Sequence, residues 1–258
     1  MQLKDRLNRR IIAISAHIPR IYQPVPLSIG TGVSLTAATS HHLAHVLRCS
    51  VGDSLILFNG ERGEYEAKIT SIKKQAVAVQ IKSFRTVNKE SPVKIHLGQS
   101  LSRGEKMDFA IQKAVELGIT EITPLLTDFC AIKCSKEQGE KKLAHWQKII
   151  VSACEQCGRD RLPILHPIMP LDEWIQHQSA ELKFVLHPTA EHHLKVSTPP
   201  PSSIALLIGA EGGLSDNEVE LAKKYHFLSI QLGPRILRTE TATLSALTLL
   251  QFLYGDLC

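Results

Sequence analysis

No run in this sequence approaches the roughly 20 apolar residues that a membrane-spanning helix requires, so no membrane association is expected. The amino end only imitates a secretory signal. Lys4, Arg6, Arg9 and Arg10 precede Ile11–Ala16, but that apolar stretch falls short of the usual ~7–15 residues, and His17, Ile18, Pro19 and Arg20 follow at once. It is read as a basic leader, and the chain as cytoplasmic. Gly-x-Gly-x-x-Gly is missing and no Gly-Lys-Ser/Thr follows a glycine-rich turn, which removes the dinucleotide and P-loop readings. A Gly-x-Ser-x-Gly elbow with Ser-His-Asp partners is also missing. So are His-Glu-x-x-His and a tight carboxylate cluster for magnesium. Internal repeats and low-complexity segments are not found.

What remains is a chain of 258 residues, 43% apolar, which suits one large or two ordinary domains. A net charge of +5 makes a polyanion a plausible partner without proving one. The arginines are unevenly placed: Arg48, Arg103, Arg159 and Arg161 fall beside helix-like runs. Six cysteines are present, and Cys130-x3-Cys134 with Cys154-x2-Cys157 resembles a loose zinc-ligand set. The second pair, however, continues a helical stripe of Leu143, Trp146, Ile150, Ala153 and Cys157. Small core-filling thiols are therefore favoured. His41 and His45 have chelating spacing but no acidic third ligand nearby, so no metal is assigned.

Residues 18–85 read as β-rich. Short apolar runs at Ile21–Tyr22, Val33–Leu35, Ser54–Phe58, Glu64–Ile69 and Ala76–Ile81 are separated by turn residues, and Asn59-Gly60 signals a hairpin. Ala38–Arg48 reads as a short helix with Leu43, Val46 and Leu47 toward a core and His41, His45 and Arg48 elsewhere. A small barrel with an inserted helix fits. Residues 86–92 look like a linker. Over 93–258 strands alternate with helices, which implies a mainly parallel sheet. The strands are Val93–Gly98, Glu121–Leu126, Leu182–Leu186, Ile204–Ile208 and Phe227–Leu232. The helices include Gly104–Leu117 and Lys136–Cys157. Ser215–Glu218 is a capping box.

Two segments carry chemistry. Gly209-Ala-Glu-Gly-Gly213 ends an apolar strand with permissive backbone that a ligand can approach closely. Gly233-Pro-Arg-Ile-Leu-Arg-Thr-Glu-Thr241 follows another strand. Ile236 and Leu237 are apolar where loops are polar, and Thr239 or a neighbour is expected to cap the last helix. Open α/β sheets hold ligands at such loops, at the carboxyl ends of strands. Arg238 suits bidentate contact with an anion, or a local ion pair with Glu240.

Taken with Pro19–Tyr22, His42–Arg48, Gln112–Gly118 and Glu155–Arg159, these motifs resemble the RsmE family of bacterial 16S rRNA (uracil-N3)-methyltransferases, within the SPOUT superfamily. The resemblance runs from Pro19 to Gly255. It implies a PUA-like RNA-binding β-barrel at 18–85 and a SPOUT methyltransferase domain at 93–258, the latter a mainly parallel α/β fold with a trefoil knot. It implies a homodimer that binds S-adenosylmethionine and methylates N3 of one uridine in the decoding region of 16S rRNA, within the small ribosomal subunit. Carried over, the cofactor site comprises Leu186, His187, Gly209, Glu211, Gly212, Leu232, Gly233, Ile236, Leu237 and Thr241. Arg238 is expected to stabilise charge on the uracil and Glu240 to act as base or to orient Arg238. RNA phosphates fall to Arg20, Arg48, Arg103 and Arg159. The family usually has proline where this chain has Ala210. Two alternatives share the fold: a SPOUT enzyme acting on another nucleotide, and a silent RNA-binding or assembly factor, against which the intact Gly233–Ala242 run argues.

Overall fold

The computed structural model describes residues 18–61, 63–73, 76–130, 135–190, 192, 194 and 196–257. The basic leader and Cys134 lie outside the described residues. The chain divides into two compact units, Met1–Lys89 with Gly158–Arg161, and Glu90–Cys157 with Leu162–Cys258.

The first unit is built on a five-stranded sheet in the order β1-β3-β4-β5-β2. Its strands are β1 (Arg20–Tyr22), β2 (Gly32–Ser34), β3 (Ser54–Phe58), β4 (Glu64–Lys73) and β5 (Ala76–Arg85). β3 and β4 pair antiparallel across a loop longer than a two-residue turn, which opens with Asn59-Gly60 and in which Gly60 takes a positive φ of 89°. Alternation along the strands turns Leu55, Leu57, Ala67, Ile69, Val77, Val79 and Ile81 inward. Register shifts in the β4–β5 ladder bend the sheet around that core. The expected helix starts at Thr36, whose hydroxyl accepts from the Thr39 amide, and runs as α1 (Ala37–His41). It then widens into a π-helical turn at His42–Val46. This corrects the expected facing of the segment. Each π-helical residue advances the chain by less rotation than an α-helical one, so Leu43 is fully buried while Val46 and Leu47 are 60% and 44% exposed.

Arg20 and Arg159 also depart from expectation: Arg159 is buried, and Arg20 is half-buried with its side chain only 7% exposed. The Arg20 guanidinium pairs with Glu64, itself only 1% exposed, and donates to the carbonyls of Gly158 (3.1 Å) and Arg159 (3.2 Å). Arg85 donates to the other Glu64 oxygen at 2.7 Å. These cations are structural: they satisfy an interior carboxylate and tie 158–161 to the β-rich unit. Removing one partner of a buried pair strands the other charge. Glu64→Ala is therefore expected to lower the unfolding free energy by about 3–5 kcal/mol, read as a shifted urea midpoint. A change below about 1 kcal/mol would place this pair with exposed ones.

The second unit is a parallel sheet in the order β12-β10-β11-β6-β7-β8, with β9 also pairing β7. Its strands are β6 (Lys94–Ser100), β7 (Glu121–Leu126), β8 (Ile164–Leu165), β9 (Met169–Pro170), β10 (Leu182–Leu186), β11 (Ser203–Ile208) and β12 (Leu228–Ile230). The helices are α2 (Glu105–Glu116), α3 (Lys136–Cys157), α4 (Leu171–Gln176), α5 (Asp216–Lys224) and α6 (Thr239–Tyr254). Ile204 to Ile208 are buried without interruption, as a strand covered on both faces requires. Ala205 and Leu207 pack with Trp174 and Val219 of α4 and α5, while α2 packs against α3 and α6. In α3 the fully buried thiol is Cys154, and Cys157 is only half-buried. No helix of the described residues is long and apolar enough to cross a membrane.

Candidate active site

A cavity of about 600 Å³ opens where β10, β11 and β12 end. Parallel strands bring their carboxyl ends to one edge, so the three loops that follow them meet there. Leu186 ends β10 and His187 opens the first loop, Gly209, Glu211 and Gly212 come from the second, and Leu232, Gly233, Ile236, Leu237 and Arg238 from the third. Ten of the residues singled out from sequence thus share one wall.

The second loop is a tight turn in which the Gly213 amide donates to the Ala210 carbonyl at 2.9 Å. Its glycines are steric necessities. A Cβ at Gly209 would stand 2.8 Å from the Gly213 carbonyl carbon, and one at Gly212 would stand 2.9 Å from Phe129 Cβ. The capping box holds the far side. Ser215 Oγ accepts from the Glu218 amide (3.3 Å), Glu218 accepts from the Ser215 amide (2.8 Å), and both side chains also bond Asp128 after β7.

Glu211 accepts from the Arg103 amide and from Lys106 Nζ, each at 3.2 Å. Burial alone would raise its pKa, but bonds from its own amide, from Arg103 and from Lys106 outweigh that and hold the carboxyl below its ordinary value. Glu211 therefore brings a fixed negative charge to the wall. The His187 amide donates to the Ile230 carbonyl at 3.0 Å, its carbonyl accepts from the Ala190 amide at 3.3 Å, and its ring Nδ1 lies 3.1 Å from Thr189 Oγ1. Ile236 is 87% exposed, an apolar side chain with nothing over it.

The third loop leads into α6, and here the sequence reading needs adjustment. Arg238 rather than Thr239 occupies the N-cap position, and no side chain caps this helix. Thr239 is buried in the first turn and lines the cavity, whereas Thr241 is exposed and does not. The reason is a network that sequence could not show. Thr239 Oγ1 donates to the Gly209 carbonyl (2.7 Å) and accepts from Gln99 Nε2 (3.0 Å), and Gln99 Oε1 accepts from Thr243 (2.6 Å). Gln99 is fully buried on β6, so the helix start and the glycine turn are locked to the centre of the sheet. Its only sequence signal is a polar residue inside an apolar strand. Arg238 and Glu240 do not form the local ion pair. The Arg238 side chain is exposed on the cavity wall, and Glu240 lies off the wall with Oε2 buried and unbonded among the described residues. Of the arginines considered for RNA, Arg48 and Arg103 are exposed, and Arg48 holds a positive φ of 54°.

The RNA methyltransferase domain family matches residues 89–251, and the RNA methyltransferase PUA domain family matches 35–82. The ribosomal RNA small subunit methyltransferase E of Buchnera aphidicola from Schizaphis graminum is 40% identical over 93% of this chain and 98% of its own length. A putative methyltransferase from Legionella pneumophila, solved with S-adenosylmethionine, is 44% identical with a TM-score of 0.90, covering 93% of this chain and 99% of that one. The small subunit methyltransferase E of Neisseria gonorrhoeae, also solved with S-adenosylmethionine, is 37% identical with a TM-score of 0.87, covering 94% and 100%. The chain belongs to the RNA methyltransferase family of ribosomal RNA small subunit methyltransferase E.

Proposed function

We propose that this chain is an S-adenosylmethionine-dependent methyltransferase of 16S rRNA that acts on N3 of a uridine in the decoding region of the small subunit. The observation that carries it is one cavity walled by both family motifs, Gly209–Gly213 and Gly233–Arg238. Its volume is that of a site for a small molecule. The cofactor fits the residues present. Leu186, Ile236 and Leu237 offer apolar cover for a purine, Gly209, Gly212, Leu232 and Gly233 offer backbone at close range, and Glu211 offers a fixed anion. Thr239 replaces Thr241 as the threonine at this wall.

Bound S-adenosylmethionine supplies a methyl group on a sulfonium, which leaves as a neutral thioether. The chain must therefore help the nucleophile. Uracil N3 carries a proton at neutral pH, and as that proton passes to solvent negative charge builds on the flanking oxygens. Arg238, exposed on the cavity wall, is assigned to donate hydrogen bonds to them, and it stays protonated while doing so. Glu240 lies off the cavity wall and forms no ion pair with Arg238, so neither role considered for it is assigned.

The domains are assigned as 18–85 for RNA binding, a PUA-like barrel, and 93–258 for methyl transfer. Arg48 and Arg103 are assigned to phosphates; Arg159 is not, because it is buried, and Arg20 is not, because its guanidinium is engaged by Glu64. The strand order takes the chain out to β12 and back to α6 beside α2, which supports a SPOUT trefoil knot. Exposed Leu249 and Phe252 on α6 offer an apolar face for a second copy, in keeping with a homodimer in the cytoplasm.

The test is methyl transfer from labelled S-adenosylmethionine to small subunits lacking the modification, followed by nucleoside analysis. Label in 3-methyluridine is expected. Label in another nucleoside would keep the cofactor and overturn the target, and absence of cofactor binding would favour a silent RNA-binding protein.

A further inference from the structure

The opposite end of the parallel sheet gathers a second set of chemical groups. His96 and Glu121 are register partners on β6 and β7, and Glu121 pairs with Ile164 of β8. His166, two residues beyond Ile164, therefore falls on the same face as both. Glu121 Oε2 lies 2.7 Å from His166 Nε2 and 3.9 Å from His96 Nδ1. One ligand atom from each side chain lies within 4.8 Å of the other two. The three side chains edge a cavity of about 450 Å³ that shares no lining residue with the first.

We propose that His96, Glu121 and His166 form a binding site for a divalent transition-metal ion of the zinc class, with its open coordination position facing this second cavity. Two imidazoles and one carboxylate are a donor set such ions take with a position to spare. Zinc–ligand bonds near 2.0–2.2 Å put tetrahedral ligand atoms roughly 3.3 Å apart. The separations of 2.7 and 3.9 Å lie on either side of that, within reach of small side-chain rotations.

The surroundings suit the imidazole as a ligand. The His96 ring turns Nδ1 toward Glu121 Oε2 at 3.9 Å. Its far nitrogen, Nε2, lies 2.8 Å from Thr123 Oγ1. With a metal on Nδ1 the ring proton moves to Nε2 and donates to Thr123, the outer partner that fixes the tautomer of a metal-bound histidine. The Trp174 indole N–H donates to that same Nε2 at 3.2 Å without metal, and indole can only donate. Metal binding therefore costs Trp174 its acceptor, which makes Trp174 a built-in reporter. Sequence spacing hides the triad, since 45 residues separate His166 from Glu121.

The untagged full chain, stripped with a chelator, should be titrated with Zn²⁺ by calorimetry and with Co²⁺ by absorption, while tryptophan fluorescence is followed. Expected are one bound ion, Co²⁺ d–d bands without a thiolate charge-transfer band, and a fluorescence change that Trp174→Phe abolishes. Glu121→Gln and His166→Ala should each weaken Zn²⁺ binding by about tenfold or more. If His166→Ala does not fold, Glu121→Gln decides alone, since it keeps the side chain's shape. Absence of Zn²⁺ binding by the parent chain, a thiolate charge-transfer band, or unchanged affinity in Glu121→Gln would overturn the proposal.

Discussion

Arg238→Ala is expected to lower methyl transfer by about 10²–10³-fold, the usual effect of deleting one donor to a developing negative charge, with S-adenosylmethionine affinity within a few-fold of the parent. The split follows from where Arg238 sits. Its side chain is exposed at the cavity wall, forms no ion pair among the described residues, and does not cap α6. Truncating it therefore removes no structural contact, and the Gln99–Thr239–Gly209 network that shapes the wall stays intact. Arg238→Lys should restore only part of the rate, because an ammonium keeps the charge but loses the planar fork. Single-turnover rates and cofactor calorimetry on the same preparations check this. Equal losses in rate and affinity would make Arg238 a cofactor residue and sink its assigned role.

Gly209→Val should fail in the other order, with cofactor binding lost first. The new Cβ meets backbone at Gly213 at 2.8 Å, and backbone cannot rotate aside as a side chain can. Relieving the clash moves the turn, and the same residue's carbonyl anchors Thr239 and the start of α6. Overpacking of this kind costs about 1–3 kcal/mol, and at the ligand it converts to roughly five- to 150-fold in affinity. A smaller drop in thermal stability should accompany it. Unchanged S-adenosylmethionine affinity in a folded Gly209→Val protein would mean that this turn does not shape the cofactor site.

Much of the architecture is legible without coordinates. Glu121–Leu126, Lys136–Cys157 and Leu182–Leu186 form the elements their periodicity predicts, with the same bounds. The Ser215–Glu218 capping box and the hairpin loop at Asn59-Gly60 are also where pattern puts them. These signals succeed because they arise between near neighbours: amides satisfied within one helical turn, side chains alternating along one strand, a φ that one residue type tolerates. The segment at Ala38–Arg48 shows the limit. A shift from α- to π-helical bonding leaves no mark in composition, yet it turns Val46 and Leu47 outward.

The sequence by itself determined the alternation of strands and helices and the two loops whose residues wall the cavity, because backbone conformation is set locally by periodicity, glycine and caps. Tertiary structure alone decided which charged and polar groups work and which are spent. Arg20 suits an RNA contact by sequence alone, but Glu64, 44 residues away, engages its guanidinium. Thr239 displaced Thr241 at the wall because Gln99, 140 residues earlier, fixes the helix start. His96, Glu121 and His166 meet only through the register of three parallel strands. A side chain's desolvation and partners depend on what the fold brings within about 4 Å of it, a range over which distance along the chain carries no information.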